Sequence, residues 1–230
     1  MSFLKLSQVN FRYPKQEKLT LDNINLEIDQ EQVTAVIGPN GSGKTTLSKV
    51  IIGVLPATGG QILLQGSKVE EYSLAQIGRR IGYVFQNPDL QLFCGTVAEE
   101  IGFGLINQGY EADRVKERVD FYLEYFHLAE YRQAFPLHLS QGEKQRVAIA
   151  SVLATEPEFM ILDEPTVGLD AYRKKILAAY LQKIARSGRG MILISHDMIF
   201  VNRLADRIIQ MEKGCIVGDS DGKGDNDHDT

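Results

Sequence analysis

A glycine-rich segment with one lysine and two threonines lies early in this chain of 230 residues. It has the sequence GPNGSGKTT, spans Gly38–Thr46 and directly follows the short apolar run Val33–Ile37. The spacing of its glycines, Lys44 and Thr45 is typical of a loop that binds phosphate groups between a strand and a helix. Glycines let backbone N–H groups approach a phosphate, and the helix adds its positive N-terminal end. The segment therefore predicts a nucleotide site; a glycine-rich turn without a ligand is the structural alternative.

The residues of this loop have separate expected roles. Lys44 would bridge the β- and γ-phosphates of ATP, and the Thr45 hydroxyl would bind Mg²⁺. The other loop residues expected to contact the nucleotide are Asn40, Gly41, Ser42, Gly43 and Thr46.

Two carboxylates follow an apolar strand later in the chain. The run Phe159–Leu162 leads directly into Asp163 and Glu164. Acidic side chains at the end of a buried strand are costly unless a cation or a proton transfer uses them. Asp163 suits Mg²⁺, directly or through water, and Glu164 suits the general base that polarises an attacking water. Taken alone, the pair could equally be a solvated strand end before the turn at Pro165; beside a phosphate loop it predicts ATP hydrolysis.

Two further polar residues end predicted strands. Gln86 closes the apolar run Ile81–Phe85, and its amide could contact Mg²⁺ or the attacking water; a plain surface amide is the alternative. His196 follows the predicted strand Met191–Ser195, so its imidazole would lie at the carboxyl edge of the sheet, where ligands bind in such folds. There it could hydrogen-bond the γ-phosphate, or it could be a strand-end residue with a local bond.

The segment Leu139–Arg146, with the sequence LSQGEKQR, heads a helix of small and apolar residues. Locally it is an S-x-x-E capping box, in which Ser140 caps the helix and Glu143 bonds back. A helix N-terminus with a glycine, here Gly142, is also an anion site. The segment therefore predicts either a structural cap or a second contact to phosphate.

The elements that must position these residues alternate between strand and helix, which predicts an α/β fold with a P-loop core of mixed or parallel sheet and flanking helices. Alternating residues 3–13 and 19–28 predict antiparallel strands at the N-terminus. Helical periodicity in Glu111–Leu128 predicts an α-helical subdomain inserted at roughly residues 88–154. We expect one domain over residues 1–218, with a helix over Lys44–Val54 and a last strand at Cys215–Gly218. The acidic residues 219–230 are expected to be a disordered tail.

Composition narrows the function classes. Thirty acidic residues outnumber 25 basic ones, for a net charge of −5, so nucleic acid is not expected as the main partner. No run approaches the roughly 20 apolar residues that cross a bilayer, and the N-terminus lacks the pattern of a signal peptide. Two cysteines, Cys94 and Cys215, are too few for a disulfide scaffold. These features favour a reduced, cytoplasmic setting.

Taken in order, these segments resemble the ATP-binding subunit of an ABC transporter over residues 3–218. LSQGE stands where that family carries LSGGQ, with Gln141 and Glu143 as departures, and residues 167–170 (VGLD) stand where its D-loop lies. The resemblance implies that Tyr13 stacks on adenine and that Asp170 belongs to the nucleotide site. It also implies a head-to-tail dimer of ATPase subunits, in which Ser140 and Gly142 of one subunit complete the partner's ATP site.

The segment Gln86–Phe93 (QNPDLQLF) and the opening FRYP at Phe11–Pro14 are similar to energy-coupling factor (ECF) importers. That resemblance implies uptake of a vitamin or a transition-metal ion. The partners would be integral membrane transport subunits, reached from the cytoplasmic face of the membrane, in a homodimer or heterodimer of ATPases. The alternatives are a soluble ABC-type ATPase acting on nucleic acid or the ribosome, and a small-molecule phosphotransferase. The phosphotransferase has no use for LSQGE.

Overall fold

The computed structural model describes residues 2–222. Met1 and residues 223–230, which include most of the predicted acidic tail, lie outside the described residues. The strands are β1 (Ser2–Phe11), β2 (Leu21–Asp29), β3 (Val33–Ile37), β4 (Gly59–Leu64), β5 (Ser67–Lys68), β6 (Ile81–Val84), β7 (Phe159–Asp163), β8 (Met191–Ile194), β9 (Arg207–Glu212) and β10 (Cys215–Asp221). The α-helices are α1 (Lys44–Ile51), α2 (Leu74–Arg80), α3 (Val97–Asn107), α4 (Ala112–Tyr125), α5 (Gln141–Ala154), α6 (Ala171–Arg186) and α7 (Met198–Leu204).

These strands form two sheets. The N-terminal sheet is antiparallel, with the spatial order β2-β1-β4-β5. The second sheet has the order β10-β9-β3-β8-β7-β6, in which all neighbours are parallel except the edge strand β10. Parallel strands covered on both faces are expected to be continuously apolar, and the apolar residues of β3, β7 and β8 are buried, apart from the half-buried Ile37. The predicted α/β P-loop fold with N-terminal antiparallel strands is confirmed.

Helices α3, α4 and α5 pack on one another and on the second sheet. Ile101, Val119 and Ile149 from these three helices belong to the same buried cluster as Ala35 and Leu162 from the sheet. The fully buried α5 residues, which run from Val147 to Ala150, lie between the helical layer and the strands. Movement of α5 therefore disturbs both layers at once.

Two predicted helices end earlier than their apolar pattern suggested. Helix α1 ends at Ile51 rather than Val54, because Gly53 adopts φ +71° and terminates the helix as a left-handed glycine does. Helix α4 covers Ala112–Tyr125 rather than Glu111–Leu128. His127 has φ +52°, and the N–H of Leu128 bonds the carbonyl of Leu123 at 2.7 Å, which is the Schellman pattern that ends a helix.

The predicted start of the acidic tail is also wrong. Strand β10 continues past Gly218 to Asp221, and Asp219 pairs with Ile209 of β9. The Asp219 carboxylate accepts hydrogen bonds from the Arg207 guanidinium at 2.6 and 2.7 Å, and Arg207 also donates to the carbonyl of Glu27 at 2.6 Å. Because the cation pairs the first tail carboxylate, these residues extend the strand, although their side chains stay exposed.

Candidate functional site

The glycine-rich loop follows β3 and curves around the side chain of Lys44. The Lys44 ammonium donates to the carbonyls of Gly38 and Pro39 at 2.8 and 3.0 Å, and the residue is buried. At φ +145°, Gly38 lies so close to β9 that a Cβ would stand 2.1 Å from the carbonyl oxygen of Met211. Only glycine fits that position. The loop therefore has its shape, with the Lys44 ammonium at its centre, before a ligand binds.

Beside this loop lies a cavity of about 320 Å³. It brings together most of the residues predicted for the phosphate, cation and catalytic roles. Its lining residues are Thr20, Asn40, Gly41, Gly43, Lys44, Thr45, Thr46, Gln86, Asp163, Glu164 and Ile194. Strand β7 ends at this edge with Asp163, and β6 leads into Gln86 at the same edge because the two strands are parallel neighbours. Thr20 and Ile194 were not predicted, since neither carries a chemical signal in the sequence.

Asp163 is the most buried acid of the cavity, with 1% of its surface exposed. Its pKa is raised, chiefly by burial and also by the neighbouring charge of Glu164. The Thr45 hydroxyl acts in the opposite direction and lowers the pKa of Asp163, whereas Oδ1 has no hydrogen-bond partner. A buried carboxylate oxygen without a partner is unfavourable unless a ligand satisfies it. A hard oxygen set of Asp163, Thr45 and the Gln86 amide fits Mg²⁺.

Glu164 has an unusual backbone and a defined partner. Its φ is +50°, a region that side chains other than glycine adopt at a cost, and it is 7% exposed. The N–H of Glu164 bonds the carbonyl of Ile194 at 2.9 Å, which anchors the strained turn to β8. Its Oε2 lies 2.9 Å from Nδ1 of His196, whose side chain is largely exposed. The predicted histidine therefore touches the predicted base directly.

A tyrosine behind the cavity was not predicted as a site residue. The Tyr83 hydroxyl lies 2.8 Å from Oγ of Ser48 and 3.5 Å from Oδ2 of Asp163. Its only signal in the sequence was a hydroxyl within the apolar run before Gln86, and nothing local said that α1 and β7 would meet it. The contact depends on tertiary structure alone.

Two predicted nucleotide contacts lie next to the loop but outside the cavity lining. The Tyr13 hydroxyl is 3.2 Å from Oγ1 of Thr46, and its ring meets Phe11 edge-on at 4.9 Å between centroids. Ser42 is buried, with its Oγ 3.5 Å from the Lys44 ammonium. Tyr13 therefore presents a half-buried ring at the first turn of α1.

Three other predicted contacts are not part of this cavity. Ser140 heads α5, where its N–H and hydroxyl both donate to Oε2 of Glu143, at 2.8 and 2.7 Å. The pKa of Glu143 is lowered, first by that Ser140 hydroxyl. Gly142 packs on the carbonyl of Gly168. Asp170 caps α6 by accepting from the N–H of Arg173 at 2.8 Å.

A larger cleft, of about 530 Å³, lies between α4, α5 and α6. Its lining contains none of the predicted site residues. Within it, the Tyr122 hydroxyl bonds the Leu153 carbonyl at 2.8 Å and meets the Tyr180 hydroxyl at 2.7 Å. Arg118 pairs with Glu156 at 3.0 Å. This cleft is therefore not the predicted nucleotide site, although its volume is larger.

The fold and the cavity together define a P-loop nucleotide-binding protein, with strand-end carboxylates facing the glycine-rich loop. The family described as ABC transporter matches residues 21–167, more than half of the chain. The chain belongs to that family.

Similar proteins include ATP-binding proteins of energy-coupling factor transporters. The EcfA protein of Methanothermobacter thermautotrophicus is 39% identical over 219 residues, covering 94% of this chain and 70% of that protein. EcfA of Methanoculleus marisnigri is 40% identical over 199 residues, covering 86% and 72%. A predicted ABC transporter ATP-binding protein of Methanosarcina mazei is 42% identical over 200 residues. That match covers 87% of this chain but only 34% of the relative, so the chain spans about a third of that protein's length.

Solved structures agree with the fold. CbiO1 of Clostridium perfringens, part of the ABC transporter complex CbiONQ, superposes with a TM-score of 0.82 at 33% identity, covering 96% of this chain and 89% of CbiO1. A dimeric ATP-binding cassette in a post-hydrolysis state with bound ADP and Pi superposes with a TM-score of 0.88 at 27% identity, covering 96% and 100%.

Proposed function

We propose that this chain is the ATP-binding and ATP-hydrolysing subunit of an ABC importer of the energy-coupling factor type. The observation that carries the proposal is the cavity in which the Lys44 loop faces Asp163 and Glu164. Similarity to EcfA proteins and to CbiO1 supports the importer type. By the resemblance of Gln86–Phe93 to energy-coupling factor importers, we propose a small solute such as a vitamin or a transition-metal ion as the cargo.

In this proposal, different residues of the cavity have different roles in phosphoryl transfer. Asn40, Gly41 and Gly43 present the loop to the phosphates, and Lys44 neutralises the β- and γ-phosphates from the centre of the loop. Thr46, which also lines the cavity, and Ser42 would contact the nucleotide from the same loop. Thr45, Gln86 and Asp163 would hold Mg²⁺, which supplies positive charge against the charge that develops on the transferred group.

Glu164 acts as the general base in this mechanism. A carboxylate within reach of the attacking water accepts its proton as the bond to phosphorus forms. The contact from Nδ1 of His196 fixes Oε2 of Glu164, which leaves Nε2 of the imidazole to contact the γ-phosphate. The backbone of Glu164 is left-handed, and the residue lines the same cavity as the loop. Both catalytic side chains are thus positioned before the nucleotide arrives.

We propose that the ATP site is completed by a second ATPase subunit, identical or homologous. Ser140 and Gly142 lie outside the cavity of their own chain, as a head-to-tail pairing requires. The Glu143 carboxylate accepts from the N–H and hydroxyl of Ser140. The glutamate that replaces the glutamine of LSGGQ therefore does not direct its negative charge toward a partner's phosphates. Tyr13 would stack on adenine, and Asp170 would support the loop that meets the partner.

An exposed aromatic pair favours a membrane subunit as the further partner. Phe93 and Phe103 are 63% and 43% exposed, and their rings meet edge-on at 4.8 Å. The segment after Gln86 is tied to α3 because the Glu100 carboxylate accepts from the N–H groups of Phe93 and Cys94, at 2.8 and 2.7 Å. Exposed apolar patches of this kind mark docking sites. A partner bound there would be coupled to Gln86 through a rigid segment.

Within residues 2–222, no helix combines the length and the apolar character that crossing a membrane requires. In our proposal residues 1–218 act as one ATPase domain, with residues 88–154 as its helical subdomain, peripheral to the cytoplasmic face of the membrane. The acidic net charge of −5 favours this function over one on nucleic acid.

Co-purification tests the proposal. We expect the tagged chain, solubilised from its native membrane, to retain integral membrane proteins, and expect this complex to hydrolyse ATP. Replacing Phe93 and Phe103 by serine should release those proteins while the isolated chain still binds ATP. ATPase activity stimulated by RNA or DNA, without any membrane partner, would contradict the importer function and favour the nucleic-acid alternative.

A further inference from the structure

We propose that Tyr83 is a positioning residue for the cation site: its hydroxyl contacts Oδ2 of Asp163 from behind and orients the carboxylate, whose Oδ1 has no hydrogen-bond partner. The inference rests on the proposed function, since it concerns the binding of Mg²⁺ beside a nucleotide. Tyr83 touches neither nucleotide nor cation in this scheme and acts only through the residues that do.

The position of Tyr83 joins three elements. It lies on β6, three residues before Gln86, and its hydroxyl reaches Ser48 on α1 and Asp163 at the end of β7. Ser48 in turn donates to the carbonyl of Thr45 at 2.9 Å. The hydroxyl therefore contacts Asp163 directly and Thr45 through Ser48, and it belongs to the strand that leads into Gln86.

The hydroxyl keeps its proton over the whole physiological range. The pKa of Tyr83 is raised well above its ordinary value, chiefly by burial and then by the charge of Asp163. A protonated hydroxyl beside a buried carboxylate is a donor that stabilises the ionised acid.

The number of hydroxyl protons limits which hydrogen bonds of Ser48 and Tyr83 can form at the same time. Three contacts, Ser48 to the Thr45 carbonyl, Ser48 to Tyr83, and Tyr83 to Asp163, share only two hydroxyl protons. The 2.8 Å contact between the hydroxyls must contain one of them. If Ser48 donates to Thr45, Tyr83 donates to Ser48; if Ser48 donates to Tyr83, the tyrosine proton is released to Oδ2 of Asp163. In our proposal the tyrosine proton exchanges between the two arrangements, and the 3.5 Å distance makes the bond to Oδ2 the weaker of the two Tyr83 contacts.

This sharing gives opposite expectations for two small substitutions. Tyr83→Phe removes the donor and leaves the ring, so Asp163 loses its support from behind. Ser48→Ala removes the competing acceptor, so Asp163 is the remaining acceptor for the tyrosine proton. A merely structural role would make both variants weaken the site or leave both unchanged.

The test measures cation affinity without turnover. Mn²⁺ is titrated into the full chain mixed with a smaller amount of ADP, so that the nucleotide is bound, and free Mn²⁺ is read by electron paramagnetic resonance. Loss of a residue that orients a metal ligand costs roughly 10- to 100-fold in metal affinity. For Tyr83→Phe we expect about tenfold, because the contact to Oδ2 is long. ADP binding in EDTA should stay within about twofold of the parent chain.

Tyr180→Phe is the matched control. It also removes a buried tyrosine hydroxyl, the one that meets Tyr122 at 2.7 Å in the cleft between α4 and α6. We expect unchanged Mn²⁺ affinity for this variant, and unchanged or tighter Mn²⁺ binding for Ser48→Ala.

Equal Mn²⁺ affinities for Tyr83→Phe and Tyr180→Phe would overturn the role of Tyr83. So would equal weakening by Tyr83→Phe and Ser48→Ala, or a matching loss of ADP affinity in EDTA. Failure of the parent chain to bind ADP at all would instead overturn the proposed function, and the two failures are therefore distinct.

Discussion

Gly142 lies against the backbone carbonyl of Gly168, so closely that a Cβ at position 142 would stand 2.5 Å from that oxygen. The contact joins the first turn of α5 to the loop before α6, where Gly168 has φ +76°. The glycine in LSQGE is thus needed within one chain, apart from any contact that it makes to a nucleotide. Helix α5 and the VGLD loop should move as one body.

Substitution of Gly142 by alanine should therefore destabilise the isolated chain. Alanine normally favours a helix over glycine by up to about 1 kcal/mol, but the added methyl has no space here, and overpacking costs about 1–3 kcal/mol. We expect a net loss in the free energy of unfolding, measured with urea. Gln141→Ala, at the exposed neighbouring position, should be close to neutral. Unchanged stability in Gly142→Ala would mean that the two loops separate easily.

Lys44→Ala should abolish ATP binding. The ammonium is buried at the centre of the loop, where it would neutralise the charge of the phosphates directly. Equilibrium binding of labelled ATP measures the loss, and a thermal melt checks that the loop still folds without the bonds to Gly38 and Pro39. Lys213→Ala, at a solvent-exposed side chain, is the control. Normal ATP turnover by Lys44→Ala would contradict the assignment of the phosphate loop.

Glu164→Gln should bind ATP but hydrolyse it at least about 10²-fold more slowly, because the amide cannot accept the proton of the attacking water. The amide keeps the size of the side chain and one oxygen for the contact with His196. Glu158→Gln, an exposed carboxylate bonded to Gln65 at 3.1 Å, should hydrolyse ATP at the parent rate. Phosphate release in single-turnover conditions separates the two. An undiminished rate in Glu164→Gln would assign the base elsewhere.

Much of this site could be predicted because its signals are local. The glycine spacing of the phosphate loop, and two carboxylates after an apolar strand, require only neighbouring residues, and the cavity brings Lys44, Thr45, Asp163 and Glu164 together. Long-range contacts leave no such local signal. The proximity of Tyr83 to Asp163 depends on parallel pairing of β6 with β7, and no spacing within the chain encodes it.

The helices and strands likewise divide into those with a local signal in the sequence and those that depend on long-range contacts. Helix α3 was foreseen only as part of a helical region, since its apolar residues have no clean period, whereas α4 was visible from its amphipathic pattern. The predicted start of the acidic tail was wrong because the run of charged residues suggested disorder, whereas residues 219–221 belong to β10. The Arg207 guanidinium, distant in sequence from Glu27 and close to Asp219 only through the β9–β10 pairing, pairs that charge in the fold.

The ion pair between Asp197 and Lys174 predicts a pH dependence of stability. The carboxylate lies 2.7 Å from the ammonium and caps α7 by accepting from the Phe200 N–H. The pKa of Asp197 is lowered, first by Lys174, so the contribution is complete above the unfolded pKa of about 3.9 and is lost as the pH falls through the lower folded value. Asp197→Asn keeps an oxygen for the cap and removes only the charge.

We expect Asp197→Asn to lose about 0.5–1 kcal/mol between pH 5 and 8, because the lysine is partly exposed, and to approach the parent chain as the pH falls through the lowered folded pKa of Asp197. Urea unfolding at several pH values measures the difference, with Asp22→Asn as an exposed control. A difference that does not change with pH would show that the cap, and not the charge, stabilises α7.

Ser140→Arg should leave ATP binding by the monomer intact and suppress ATP-dependent dimerisation. The bulky cation at the head of α5 would obstruct the approach of a second subunit's phosphates, while the cavity of its own chain does not include position 140. Loss of the cap also costs about 1 kcal/mol. Ser73→Arg removes the matching capping box of α2 with Gln76, and so controls for that loss. Light scattering in Mg-ATP, with Glu164→Gln in every chain to prevent turnover, should find dimers for the parent and for Ser73→Arg only. Dimers of undiminished affinity in Ser140→Arg would mean that the signature helix does not complete the partner's site.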